Sequence, residues 1–196
     1  MRLVKSNSDF FSSVEHALTG IDPKWREYTG GLIVGSHEPA NLQEKLDLIQ
    51  RAREDKVPLL GICLGLQLML VEYARNVLRL DANSTEIEPE TPHPVIIKMP
   101  SMRVGIRPVT YKDTTTQESH WHNYRFNTDY NDMFKDWELV FSGEVLELAR
   151  LKGHPYFMGT QFHPEYQSSS EKPHPILKEF IEKCKATAAG PRLLGR

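Results

Sequence analysis

Apolar and polar positions follow two rhythms along this chain. Leu3-Val4, Gly31-Leu32-Ile33-Val34 and Val57-Pro58-Leu59-Leu60-Gly61-Ile62 are short, unbroken apolar runs that read as buried strands. Between them the spacing changes to that of a helix face. Leu42, Leu46, Ile49 and Ala52 recur four and three residues apart, which places them on one side of a helix. An earlier helix is expected to start near Asp9, after possible N-caps at residues 6–9, and to stop at Gly20. Residues 66–77, free of Gly and Pro, predict a third. Strand, helix, strand, helix in this order predicts an α/β fold with parallel pairing and right-handed crossovers.

The pattern changes after that. Residues 88–94 hold Pro89, Pro92 and Pro94 and read as a loop. Strand-like runs follow at 95–97, 104–111, 121–126, 138–141, 145–151 and 157–162, and Thr114-Thr115-Thr116 reads as a polar loop among them. A last helix is expected from Pro175, carrying Ile176, Leu177, Phe180 and Ile181 inward. Residues 187–196 are expected to form a flexible tail. The chain has 196 residues, and domains run about 100–200, so residues 1–196 are expected to form a single domain.

Composition narrows the function classes. There are 24 Lys+Arg against 26 Asp+Glu, a net charge of −2. With no basic excess, a general electrostatic grip on nucleic acid or on a membrane surface is not expected. The apolar runs fall short of the ~20 residues a membrane span needs. Residues 1–7 turn polar too soon for a secretory segment. The two cysteines, Cys63 and Cys184, cannot build a disulfide framework, so a cytoplasmic, reducing setting is expected. His120-Trp121-His122 has no obvious third ligand, and no metal or cofactor is expected. Cys184 reads as a partly exposed bystander, and the basic residues from Lys45 to Lys56 as the solvated face of a helix.

Two segments carry chemistry. In Gly61-Ile62-Cys63-Leu64-Gly65-Leu66-Gln67 a cysteine stands between a buried strand and a helix. Such an elbow puts sulfur at the carboxyl edge of a parallel sheet, beside helix amides that favour thiolate. It also aims the Leu64 amide at an oxygen that gains charge during attack. The flanking glycines make room for a tight backbone and for a substrate close against it. An ordinary buried cysteine is the alternative reading of this segment alone. In Gly159-Thr160-Gln161-Phe162-His163-Pro164-Glu165 an imidazole follows a strand, with a carboxylate two residues on. Positions two apart in an extended stretch share a side, so Glu165 can hold one ring nitrogen of His163 while the other faces a thiol.

Together these segments resemble the glutaminase domain of class I glutamine amidotransferases, the Cys-His-Glu group. Tyr73-Ala74-Arg75-Asn76-Val77, Asn83-Ser84-Thr85-Glu86, Met102-Arg103-Val104-Gly105, His154-Pro155-Tyr156-Phe157 and His174-Pro175 narrow the resemblance to the glutaminase half of CTP synthase. The resemblance implies a flavodoxin-like, mostly parallel sheet flanked by helices, with a smaller antiparallel portion. It also implies Cys63 as nucleophile, His163 as general base and acid, and Glu165 as the orienting carboxylate. Gln67, Glu86 and Tyr124 would contact the substrate, Glu86 taking its ammonium.

Two departures bear on the substrate. Where the family has a glycine-rich loop whose amide completes the oxyanion hole, this chain has Gly35-Ser36-His37-Glu38-Pro39, leaving Gly35 as the candidate donor. Losing one such donor costs ~10²–10³ in rate. Asn123 stands where an arginine would clamp the substrate α-carboxylate, with Arg125 two residues along as a possible substitute. The leading expectation is a stand-alone cysteine amidohydrolase that cleaves a γ-glutamyl amide or related small amide through a Cys63 thioester. A glutaminase subunit feeding ammonia to a separate synthase is the alternative, and a catalytically lapsed regulatory module is a third. The expected partners are the small amide, a synthase or a second copy of the chain.

Overall fold

The computed structural model describes residues 2–4, 9–35 and 41–189. Three strands, β1 (Arg2–Val4), β2 (Gly31–Ile33) and β3 (Leu59–Ile62), alternate with three helices, α1 (Asp9–Ile21), α2 (Leu42–Glu54) and α3 (Leu64–Asn76). Then come β4 (Ala82–Ser84), β5 (His93–Tyr111), β6 (Thr114–Phe126), β7 (Trp137–Ser142), β8 (Val145–Leu151), β9 (Phe157–Thr160) and α4 (Pro175–Ala189). The main sheet has the order β1-β2-β3-β9-β8-β7, parallel from β1 through β9 and antiparallel beyond. A second sheet has the order β4-β5-β6. The α/β architecture expected from the alternation is therefore present, together with its smaller antiparallel part.

The strands β2, β3 and β9 are buried on both faces, which is why they read as continuous apolar runs. Alternation along each strand divides them between two cores. Ile33 and Leu59 face Leu48, Ile49, Ala52 and Met69 of α2 and α3. Leu32, Val34, Leu60 and Ile62 face Val14 and Leu18 of α1 and Leu177 and Phe180 of α4. Arg53 ties α2 to α3 by donating from Nε and Nη2 to the buried Glu72 carboxylate at 2.7–3.2 Å. The pairing of β3 with β9 joins Leu59 to Phe157, residues 98 apart in sequence.

Several local expectations are corrected. The threonine run is strand, not loop: Tyr111 pairs with Thr114, Thr110 with Thr115 and Val109 with Thr116. Lys112 and Asp113, at φ 47° and 61°, make the two-residue turn between them. That left-handed turn matches the strand twist, and β-branched threonine suits the ladder. The runs at 95–97 and 104–111 are one strand, β5, whose register with β6 shifts between Lys98 and Arg103. Helix α3 begins at Leu64, two residues early, and α4 continues to Ala189 through the start of the expected tail; residues 190–196 lie outside the described residues. Lys45 is buried within α2, not solvated, and burial lowers the pKa of its amine. Cys184 is fully buried as well: its sulfur fills the space beside Gly30, and burial pushes the thiol up to about 12.

The two sheets meet along a polar seam. Arg103 of β5 and His120 of β6 both reach the Glu147 carboxylate of β8, His120 Nε2 lying 2.8 Å from it. Further along β6, His174 Nε2, just before α4, lies 3.0 Å from Glu118. All four of Glu147, His120, Glu118 and His174 are buried. Bonds of this kind fix how β6 lies across the ends of the parallel strands.

Candidate active site

Parallel register brings the site together. Ile33 of β2 pairs with Gly61 of β3, and Ile62 of β3 with Thr160 of β9, so these strands end at one edge. Gly35, Cys63 and His163 are each one to three residues past such an end. The carboxyl edge of a parallel sheet is the usual place for a ligand in folds of this type.

Cys63 has φ 56° and ψ −106°, a strained conformation for a residue with a side chain. It turns the chain directly from β3 into α3, so that Leu64 is the first helical residue, where amides lack intrahelical partners. The glycines around it serve packing: a Cβ on Gly65 would strike the Ile33 carbonyl, and one on Gly61 would lie 2.5 Å from Met69 Sδ. The room that the sequence reading gave to a substrate is filled by protein. Gly35 is different. A Cβ there would lie 3.1 Å from Cys63 Cβ and 3.3 Å from His163 Cε1, so its backbone passes against both groups. Residues 36–39 of the shortened loop lie outside the described residues.

His163 is held from two sides. Its amide donates to the Ser119 carbonyl at 2.8 Å, tying it to β6. Its Nδ1 lies 2.7 Å from Glu165 Oε1, and the Cys63 sulfur is near enough to favour charge on the ring. Glu165 is the second residue of a short 3₁₀ turn, Pro164–Gln167, which brings its carboxylate back to the ring. Burial opposes charge on His163, but the Cys63 sulfur and the Glu165 carboxylate override it and raise its pKa to about 10. At neutral pH an imidazolium therefore stands beside the sulfur.

Sequence reasoning gave no role to Gln161, which lies at the centre of the site. Its Nε2 donates to Cys63 Sγ at 3.6 Å, and its Oε1 accepts from Gln67 Nε2 at 3.1 Å. Gln67 Nε2 also reaches the Tyr124 carbonyl at 3.3 Å. The signal was present: Gln161 precedes His163 by two, the same spacing that linked His163 to Glu165. Glu86 lies past β4, close enough to Tyr124 to raise the pKa of its phenol, although burial of that phenol contributes more. Burial likewise raises the pKa of the Glu86 carboxyl. Asn123 lies opposite the irregular stretch of β5 between Lys98 and Arg103. Arg125 does not stand in for an arginine at 123. Its guanidinium bonds Glu144 at 3.0 Å and the carbonyls of Phe126 and Glu144.

His120 and His122 both point inward rather than to the surface. His120 bridges the Glu118 carbonyl and Glu147, while His122 donates from Nδ1 to the Tyr124 carbonyl at 2.9 Å. Burial lowers the pKa of His122 to about 4, so it is neutral near pH 7. Among the described residues, no group of three or more His, Cys, Asp or Glu side chains is placed to hold a metal ion. No helix among them is long and apolar enough to cross a membrane.

Known proteins show the same design. The family model "Glutamine amidotransferase class-I" matches residues 12–183. The CTP synthase of Caldanaerobacter subterraneus subsp. tengcongensis is 39% identical over 87% of this chain, which covers 35% of that protein. That of Phytoplasma australiense is 40% identical over 84% of the chain and 34% of its own length. The chain thus spans about a third of the curated relatives it matches. Among solved structures, the Trypanosoma brucei CTP synthase glutaminase domain with bound acivicin superposes with a TM-score of 0.79 at 22% identity, covering 94% of this chain and 92% of that one. The strand-to-helix cysteine, the imidazole past β9 and these similarities lead to one assignment: the chain belongs to the class I glutamine amidotransferase family, on the CTP synthase-like side.

Proposed function

We propose that this protein is a cysteine amidohydrolase that opens a γ-glutamyl amide through a thioester on Cys63. The observation that carries the reading is the gathering of Cys63, His163 and Glu165 at the sheet edge, with Glu165 bonded to the His163 ring and the Cys63 sulfur near enough to raise the ring's pKa. A cysteine beside an imidazolium is the setting in which sulfur reacts as thiolate. Sulfur attacks the γ-carbonyl carbon, and the Leu64 and Gly35 amides are the nearest candidates to receive the developing oxyanion. The C–N bond breaks as His163 gives its proton to the leaving nitrogen. His163, now neutral, takes a proton from water as that water attacks the thioester, and the acid leaves with Cys63 restored. Gln67, Glu86 and Tyr124 hold the acyl half. Glu86, half-buried with its carboxyl pKa raised by burial, suits an ammonium that would restore its charge.

With Asn123 in place of a cationic clamp, free glutamine is a weak substrate with a high KM. A charge-assisted bond is worth about 1.5–3 kcal/mol, and its loss weakens ground state and transition state alike. Ammonia supply to a synthase is a second reading, favoured by relatives about three times as long as the chain. Under either reading, two free cysteines fit a reducing, cytoplasmic setting. The test is intact-protein mass spectrometry after incubation with acivicin and with γ-glutamyl amides. A covalent adduct that maps to Cys63 and disappears in Cys63→Ala supports the reading. The absence of any adduct, together with no amide turnover, overturns it.

A further inference from the structure

Resting on the amidohydrolase reading, we propose that the leaving group is an apolar amine, aryl or branched alkyl, received in a pocket on the far side of His163. Strand β6 supplies the geometry. It passes the sulfur at Trp121, whose carbonyl lies 3.8 Å from Cys63 Sγ. Three residues on, the Tyr124 carbonyl accepts from Gln67, which marks the acyl side. Two residues back, Ser119 pairs with His163, the proton donor, which marks the leaving side. On that leaving side an open pocket of about 340 Å³ is lined by Val104, Ile106, Trp121 and Tyr166 together with Ser119, His163, Gly105 and His120. Val104, Ile106, Trp121 and Tyr166 are 40%, 63%, 46% and 47% exposed, an unusual grouping of large apolar side chains around one mouth. Val104 and Ile106 alternate on one face of β5, and Val104 pairs with Trp121 across the ladder. Among the described residues, no Asp, Glu, Lys or Arg lines the pocket.

Ammonia would need none of this surface. An amine with an apolar body would cover it, gaining transition-state binding that glutamine cannot reach. In balance, the S–C bond forms at the γ-carbonyl, the C–N bond breaks, and the amine departs with the His163 proton through the pocket. Water then releases glutamate.

The experiment compares kcat/KM for L-glutamine, γ-glutamyl-methylamide and γ-glutamyl-anilide on the wild type and on Val104→Ser/Ile106→Ser. Both positions are exposed on β5, outside the proton-transfer line. The wild type is expected to favour the anilide over glutamine by about tenfold or more, and the double variant to lose most of that preference while its glutamine rate holds. Equal rates on anilide and glutamine, or an anilide preference indifferent to the double variant, would overturn the leaving-group assignment. Acivicin labelling of Cys63 would still support the amidohydrolase reading in that case. If the patch instead seats a partner protein, the result would be glutamine turnover that leads the series, again independent of the double variant. Failure of acivicin labelling and of all three substrates together would overturn both readings.

Discussion

Replacing Glu165 by glutamine separates charge from shape at the proton-transfer pair. The carboxylate is buried, and its Oε1 lies 2.7 Å from His163 Nδ1. An amide oxygen can accept the same proton, so the ring keeps its tautomer and direction. What is lost is the difference between a charge-assisted bond, about 1.5–3 kcal/mol, and a neutral one, about 0.5–1.5 kcal/mol. That difference, about 1–1.5 kcal/mol, corresponds to about one pKa unit on His163. Because kcat/KM reports the free enzyme, its alkaline limb should lie near the His163 value of about 10 in the wild type. It should move down by about one unit in Glu165→Gln, so that kcat/KM at pH 10 falls about fivefold below the wild type while the plateau near pH 8 changes little. Glu165 Oε2 has no hydrogen-bond partner among the described residues, so an amide NH₂ placed there gains none from them. A stability loss of about 1–3 kcal/mol is therefore expected alongside. The assay is a pH series of kcat/KM with a γ-glutamyl amide, paired with urea unfolding of both forms. The sign of the stability effect follows from the raised pKa. His163 stabilises the fold fully below its ordinary value of 6.5, and that contribution is lost as pH rises through about 10. A variant with an unmoved alkaline limb and undiminished kcat/KM would refute the pairing as the source of the imidazolium.

Three further outcomes are expected. Arg53→Ala strands the buried Glu72 carboxylate and should cost about 3–5 kcal/mol in urea unfolding, whereas Arg53→Met with Glu72→Met should be near neutral. Gly35→Ala places a methyl 3.1 Å from Cys63 Cβ and should leave the melting temperature within a few degrees while lowering kcat about tenfold or more, which steady-state kinetics and a thermal melt check together. A limiting dose of chloroacetamide should label Cys63 and leave Cys184 intact until the protein unfolds, as peptide mapping with and without urea would show.

Much of the architecture was readable because parallel strands buried on both faces leave unbroken apolar runs, and the two motifs sit where those runs end. The hairpin was less readable. Its Thr114-Thr115-Thr116 start looks polar because that end of the ladder faces solvent, and its β5 half is split by a register shift that local patterning does not show. Lys45 and Cys184 were misread for one reason: burial of a lone polar or small residue depends on what packs over it from distant sequence. Gln161 was hidden by the same kind of dependence. Its bonds reach 94 and 98 residues back along the chain, to Gln67 and Cys63.

The β3–β9 pairing also has a consequence for biosynthesis. The strand that leads into Cys63 completes its parallel neighbourhood only when a segment 98 residues later arrives. At the usual pace of translation that interval lasts about 5–20 s. Throughout it, the cysteine emerging from the ribosome has no imidazole, no carboxylate and no Gln161 beside it, and it is an ordinary thiol. Closing so long a loop is entropically late in folding, since distant pairings form only after local ones have reduced the chain's freedom. Under the proposed function, reactivity therefore switches on as the last strand is inserted, and the growing chain does not carry a live nucleophile past other nascent proteins.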